Sequence, residues 1–125
     1  MSDQVAKALR RSDRELEAAR VLAGSGFTEQ AVARAYFACF YAAEAALLYL
    51  GETRSKHSGV IAEFSRLVIK EGGMDQQMGA ILRSLFEARN EADYRFIEAP
   101  PESAEQAISQ ASRFVDEVRA WLRAR

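Results

Sequence analysis

Between Thr28 and Gly51 the chain carries a helix-forming stretch that is apolar on most of its sides. Tyr36, Phe40, Ala43, Leu47 and Leu50 recur at helical spacing on one stripe. Ala35, Ala42 and Ala46 lie beside that stripe, where small side chains permit close helix approach. The remaining face holds Arg34, Phe37, Tyr41, Glu44 and Leu48. Such a helix does not suit the surface of a small domain. It is central, or it is covered on one side by its own fold and on another by a partner. Arg34 and Glu44 then become partly buried charges, and each needs a partner, because an unpaired charge taken out of water is costly.

The other segments fit around this helix as a bundle. A first helix is expected from Asp3 to Ala23, with Val5, Leu9, Leu16, Ala19 and Leu22 inward and Gly24 and Gly26 ending it. Its outer face carries Lys7, Arg10, Arg11, Arg14 and Arg20, with Glu15 and Glu17 interleaved. Mixed charge of this kind reads as a solvated face rather than a phosphate-contacting ridge. Thr28 reads as the N-cap of the second helix. Glu52 to His57 reads as a loop, and a third helix follows from Ser58 to Glu71, stopped by Gly72 and Gly73. Asp75 suits the cap of a fourth helix, whose apolar face is Met78, Ile81, Leu82, Leu85 and Phe86 and which runs on to Tyr94. Arg95 to Pro101 is a connection, and Pro101 suits the start of a fifth helix that carries Phe114, Val118, Trp121 and Leu122. The two prolines are adjacent, at Pro100 and Pro101, so nothing breaks the helical pattern elsewhere. The expectation is one all-α domain over residues 1–125, an up-and-down bundle of about five helices.

Charge and cysteine usage narrow the function classes. Seventeen basic and eighteen acidic side chains leave a net charge of −1, so no global attraction to nucleic acid is expected and no sequence-specific DNA binding. Any contact with RNA must come from a local patch. Cys39 is the only cysteine and sits in an alanine-rich run, the place of a small buried thiol. No internal disulfide is possible, and the carboxylates and the single His57 show no metal-ligand spacing. Without a glycine-rich phosphate loop, no cofactor is expected either. The start, MSDQVAKALRRSD, lacks the apolar core of a signal peptide, and the run Ala42 to Leu50 contains Glu44 and is too short to span a bilayer. A cytoplasmic protein with no membrane contact is the expectation.

Three blocks carry a family resemblance. The first is Arg34-Ala-Tyr-Phe-Ala-Cys-Phe-Tyr and the small-residue run through Gly51. The second is His57-Ser-Gly59 followed by Phe64. The third is Leu82-Arg83-x-Leu85 leading to Arg89-x-x-Ala92-Asp93-Tyr94. In this order, and in a chain of this length, they resemble the HEPN domain family, most closely its short stand-alone prokaryotic members. The resemblance implies a bundle of about four or five helices that dimerises. Many family members are metal-independent endoribonucleases, whose signature is an Arg, then a polar residue such as Asn, and a His a few residues on. In the dimer, the motifs of both chains meet in one cleft. Attack of a ribose 2′-OH on its own phosphate needs a base for the hydroxyl and a cation for the phosphate oxygens.

Arg89 and Asn90 match the start of that signature, but Tyr94 stands where four intervening residues would put the His, and Arg95 and Phe96 follow it. A tyrosine, with an ordinary pKa of about 10, is a poor base at neutral pH. Asp93 beside a guanidinium is a weak base too. The catalytic positions implied by the resemblance are Arg89, Asn90, Asp93 and Tyr94, joined by His57 if the fold brings it near. Arg89 and Arg34 are the implied RNA- or nucleotide-binding cations. Short family members are often encoded beside a minimal nucleotidyltransferase in toxin–antitoxin-like pairs. The resemblance therefore implies a homodimer, a nucleotidyltransferase partner and action on RNA or nucleotide. Two alternatives stand beside it: an active ribonuclease with a degenerate motif, and a catalytically inert dimeric scaffold. Arg34 is expected to pair with Asp93, since each needs an opposite charge. Tyr94 is expected to be partly exposed at the cleft and to be an acceptor for nucleotidyl transfer.

Overall fold

Helix α1 opens at Ser2, whose hydroxyl accepts a hydrogen bond from the Val5 amide at 3.2 Å and so satisfies one of the N–H groups that a helix start leaves unpaired. The computed structural model describes residues 2–52 and 57–125, apart from the side chains of His57, Ser58 and Tyr94. α1 spans Asp3–Gly24 and α2 spans Thr28–Tyr49. Between them Gly26 takes a φ of 85°, the Phe27 amide returns to the Leu22 carbonyl at 2.9 Å, and the Gly26 amide reaches the Ala23 carbonyl at 3.2 Å. This left-handed glycine cap consumes carbonyls that α1 would otherwise leave open. It also starts α2 directly. Thr28 is therefore not the N-cap that was expected: Phe27 holds that position, with no side-chain hydrogen bond, and its carbonyl accepts from Ala31 at 2.9 Å. The same closure recurs after α2, where Gly51 has a φ of 82° and the Glu52 amide bonds to the Leu47 carbonyl.

The third helix departs from expectation in kind. Its described part opens as α3 over His57–Glu63, so His57 is helical rather than the end of a loop, while residues 53–56 of the expected loop lie outside the described residues; the helix continues as a π-helical segment over Phe64–Lys70. The Glu71 amide closes this segment on the Arg66 carbonyl, five residues back, at 3.1 Å. The wider coil lets Phe64, Val68 and Ile69 all reach the core, while Leu67, expected inward, is half-buried. Asp75 caps α4 (Gln76–Tyr94) through a 2.8 Å bond from the Gln77 amide, and α5 (Pro101–Arg123) starts on its proline; both starts are where the sequence places them.

Side-chain pairings give the directions of the helices. Ser12 donates to the Ala38 carbonyl at 2.7 Å and Glu15 meets Arg34, so α1 and α2 run antiparallel. Arg119 clasps Asp13 at 2.7 Å, and Arg113 reaches Gln77 at 2.7 Å, which ties α5 to α1 and α4. Tyr49 meets Trp121 edge-on, placing the ends of α2 and α5 together. The result is an all-α, up-and-down bundle of five helices around α2, with no strand among the described residues. α2 is long and apolar enough to cross a bilayer by composition, yet 72% of that stretch is buried inside the bundle, as for a core helix. One member of its expected stripe falls outside: Leu50 is 40% exposed, because the helix has already ended at Tyr49.

Gly72 is where the π-helical segment meets α5. Its carbonyl accepts from the Trp121 indole at 2.9 Å and from Arg125 at 2.6 Å. A Cβ there would sit 2.5 Å from the Val68 carbonyl oxygen and 3.0 Å from the Trp121 ring. Backbone cannot give way as a flexible side chain can. Gly72→Ala is therefore expected to lower stability by about 1–3 kcal/mol, the usual cost of overpacking, read as an earlier urea midpoint. An unchanged midpoint would mean that this junction is looser than its geometry.

Candidate functional site

The antiparallel packing of α1 on α2, and of α4 against the first half of α2, collects three arginines over one aromatic strip. The strip is Phe37 and Tyr41, one helical turn apart on α2, with ring centroids 6.1 Å apart. Arg34 lies 4.7 Å from the centre of the Phe37 ring, and Arg89, from α4, lies 5.3 Å from the same ring. Arg11, from α1, lies 4.8 Å over Tyr41. Stacking of a cation on an aromatic face is worth about 0.5–1 kcal/mol at exposed sites. That is too little to build the fold but enough to orient a guanidinium.

The carboxylates decide how these cations are held. Glu15 is the deepest: its side chain is 6% exposed, and it accepts from Arg34 Nη1 on both oxygens, at 3.0 and 3.2 Å, and from Arg11 Nε at 3.3 Å. The sequence places Glu15 on a solvated outer face, and here the structure corrects it. Helix α1 turns this residue inward against α2, where it answers the need of Arg34 for a partner. Arg34 is accordingly not paired with Asp93. Asp93 instead accepts from Arg89 Nε at 3.0 Å, one turn earlier on the same helix. The i, i+4 spacing makes that pair available locally, whereas Glu15 is brought to Arg34 only by the packing of two helices.

Arg34 and Arg89, both expected as anion-binding cations, thus do come together, at the Phe37 ring. Asn90 is half-buried on the same turn as Arg89, and Asp93 is exposed. The side chains of Tyr94 and His57 lie outside the described residues; their backbones end α4 and open α3. Arg11 was missed as a member of the site. Its spacing to Glu15 was visible in the sequence, but the inward turn of Glu15 was not.

Two further groups face this region. Burial pushes the Tyr36 hydroxyl well above its ordinary range, and the positive charge of Arg89 opposes part of that shift. Glu44, half-buried on the strip's own face of α2, is also raised by desolvation, and it has no ion-pair partner among the described residues. Cys39 is fully buried, and burial pushes its thiol up, so it is the inert core cysteine that its neighbours suggested.

A bundle of this topology, with an Arg–Asn start to a motif at the end of its fourth helix, fits one class of small helical domain. The HEPN domain family matches residues 5–121, and the chain belongs to that family. Among its relatives, a protein of Methanocaldococcus jannaschii named "Putative toxin" is 35% identical over 112 residues, which is 90% of this chain and 84% of the relative. A second protein of that organism with the same style of name is 30% identical over 95% of this chain and 82% of its own length. A Thermotoga maritima protein named only "UPF0332 protein" is 36% identical over 90% of this chain and 87% of the relative.

The Glu15 arrangement makes an asymmetric prediction. Arg34→Met removes the bond to both oxygens of a buried carboxylate and leaves only Arg11 to answer it, at a cost of about 1–3 kcal/mol. Glu15→Gln keeps an accepting oxygen and leaves two arginines that reach water, so its cost is smaller. Urea midpoints of the two variants check this; equal losses would show that burial of the carboxylate is not what sets the cost.

Proposed function

We propose that this chain is the toxin-like HEPN module of a two-component system, which engages RNA or nucleotide through Arg34 and Arg89 and works with a minimal nucleotidyltransferase. The names of the two M. jannaschii relatives support the first part. The observation that carries the second is the meeting of Arg34 and Arg89, from different helices, at the Phe37 ring. Fixed cations over aromatic faces suit a single strand, whose phosphates need positive charge and whose bases offer stacking surfaces.

Weak catalysis goes with this reading. General acid–base catalysis contributes about 10²–10⁴-fold, and no histidine stands in the motif. The isolated chain is expected to cleave single-stranded RNA feebly or not at all without metal, and any cleavage is expected to vanish in Arg89→Ala. Vigorous cleavage that survives Arg89→Ala would put the chemistry elsewhere. The competing reading is a catalytically inert scaffold. Its support is that Arg89 is matched by Asp93, and Arg34 by Glu15, within one protomer. An RNA affinity indifferent to both Arg89→Ala and Arg34→Ala would favour the scaffold. Coexpression with a minimal nucleotidyltransferase partner is expected to add a nucleotide to Tyr94, seen as a mass increase on its peptide. An unmodified chain from such cells would remove the partner from the proposal.

The same reading includes a two-fold homodimer. Phe37, Tyr41 and Leu48 remain half-buried on one face of α2 after the bundle has closed, and Glu44 lies among them with a carboxyl whose protonation burial favours. A second copy packed on this face beside the arginines would finish that burial and bring both Arg89 motifs to one groove. Sedimentation at micromolar concentration is expected to give a dimer, and Tyr41→Glu, which would leave a charge in a desolvated contact, is expected to split it. A wild-type monomer would end this part of the proposal.

A further inference from the structure

The functional reading uses Arg34 and Arg89, but the third guanidinium has a setting of its own. Arg11 and Arg34 share one carboxylate, so this corner carries two positive charges against one negative. The sharing is unequal in depth. Glu15 is almost wholly buried, while Arg11 is 58% and Arg34 36% exposed. The carboxylate is thus sealed beneath its cations and cannot itself meet a ligand, whereas the cations face outward.

Each guanidinium also keeps donors. It has five N–H groups in a planar fork. Arg11 commits its Nε to Glu15, and Arg34 commits Nη1. The other nitrogens of both side chains make no hydrogen bond among the described residues. Below them, Tyr41 and Phe37 hold the two planes from the apolar side. A carboxylate on one edge and a ring on one face remove most of the freedom that a long side chain would lose on binding, so little order remains to be imposed by a ligand. Glu15 is in this sense a positioning residue.

We propose that Arg11 and Arg34, set by Glu15, form a phosphate-binding clasp, and that it holds a phosphodiester of the RNA strand directly beside the Arg89 motif. The proposal rests on the RNA reading above for the identity of the ligand, but not for the anion chemistry. Paired guanidiniums with free forked donors match phosphate oxygens and discriminate against cations and neutral groups. The clasp also differs from the Arg89–Asp93 pair in net charge. Among the described residues Arg89 has Asp93 as its ion-pair partner, so it adds little attraction at a distance; the clasp supplies the excess charge. Arg11 would then act on affinity and on salt dependence, with Arg89 acting at the motif itself.

The test uses the full chain and a short single-stranded RNA, with binding followed by fluorescence anisotropy across a range of salt. Each phosphate contact on a single strand contributes about 0.7 to the slope of log affinity against log salt. Arg11→Met, which keeps the length of the side chain over Tyr41, is expected to lower affinity several-fold and to flatten that slope by about 0.7. Wild-type binding with a slope unaltered by Arg11→Met would overturn the clasp while leaving the RNA reading in place. A second arm titrates inorganic phosphate and pyrophosphate against the wild-type chain and follows the Nε–H resonances of its arginines. Shifts confined to Arg11 and Arg34, and lost in Arg11→Met, would support the clasp even if the wild type bound no RNA, in which case it is the RNA reading that fails. Binding of neither RNA nor pyrophosphate at the clasp would refute both.

Discussion

Everything in this bundle follows from the need to take α2 out of water. Its buried positions, from Ala31 to Leu47, occupy nearly every direction around the helix axis. Such a helix must be surrounded, and α1, α4, α5 and the α3–π segment do so. The alanines at positions 35, 38, 42, 45 and 46 are fully buried, which lets neighbouring backbones come close while Tyr36, Phe40 and Leu47 fill the remaining space. The π-helical turns at Phe64–Lys70 belong to the same demand. An α-helical register would leave either Ile69 or Val68 short of the core; the wider coil brings both in.

Burying a helix that carries Arg34 creates the electrostatics of the candidate site. A guanidinium half-withdrawn from water requires a carboxylate, and α1 supplies Glu15 at the matching depth. This ion pair orients Arg34 over Phe37, and the same Glu15 draws in Arg11. At the other edge α4 brings Arg89 to Phe37 with Asp93 one turn behind it. Phe37 and Tyr41 therefore have two roles. They cover part of the core, and they present faces on which three cations are arrayed. The RNA engagement proposed above would need positive charge in one place. A chain with net charge −1 attains that by local geometry rather than by composition.

The same reasoning separates the parts of the site that were legible from those that were not. Arg34 and Arg89 stand out in the sequence because a charge within an apolar helix, and an Arg–Asn step at the end of a helix, are conspicuous by position alone. Their meeting at Phe37 could not be read, since it depends on how α4 crosses α2. Glu15 was hidden more completely. On α1 it alternates with Arg10, Arg11, Arg14 and Glu17 and looks like one more solvated charge. Only the rotation of α1 about its own axis, fixed by the burial of Leu9, Leu16 and Ser12, turns it inward.

By itself the sequence determined the helical class, the five segments, their glycine, aspartate and proline boundaries, and the family. These rest on local chemistry: periodicity, caps and breaks act within a few residues of themselves. The tertiary structure decided which charges are partners, which face of α1 is buried, and where the third helix changes its coil. Those outcomes depend on the angle and register at which helices meet. Angle and register are set by the summed packing of many side chains, each contributing little, so no single residue announces them.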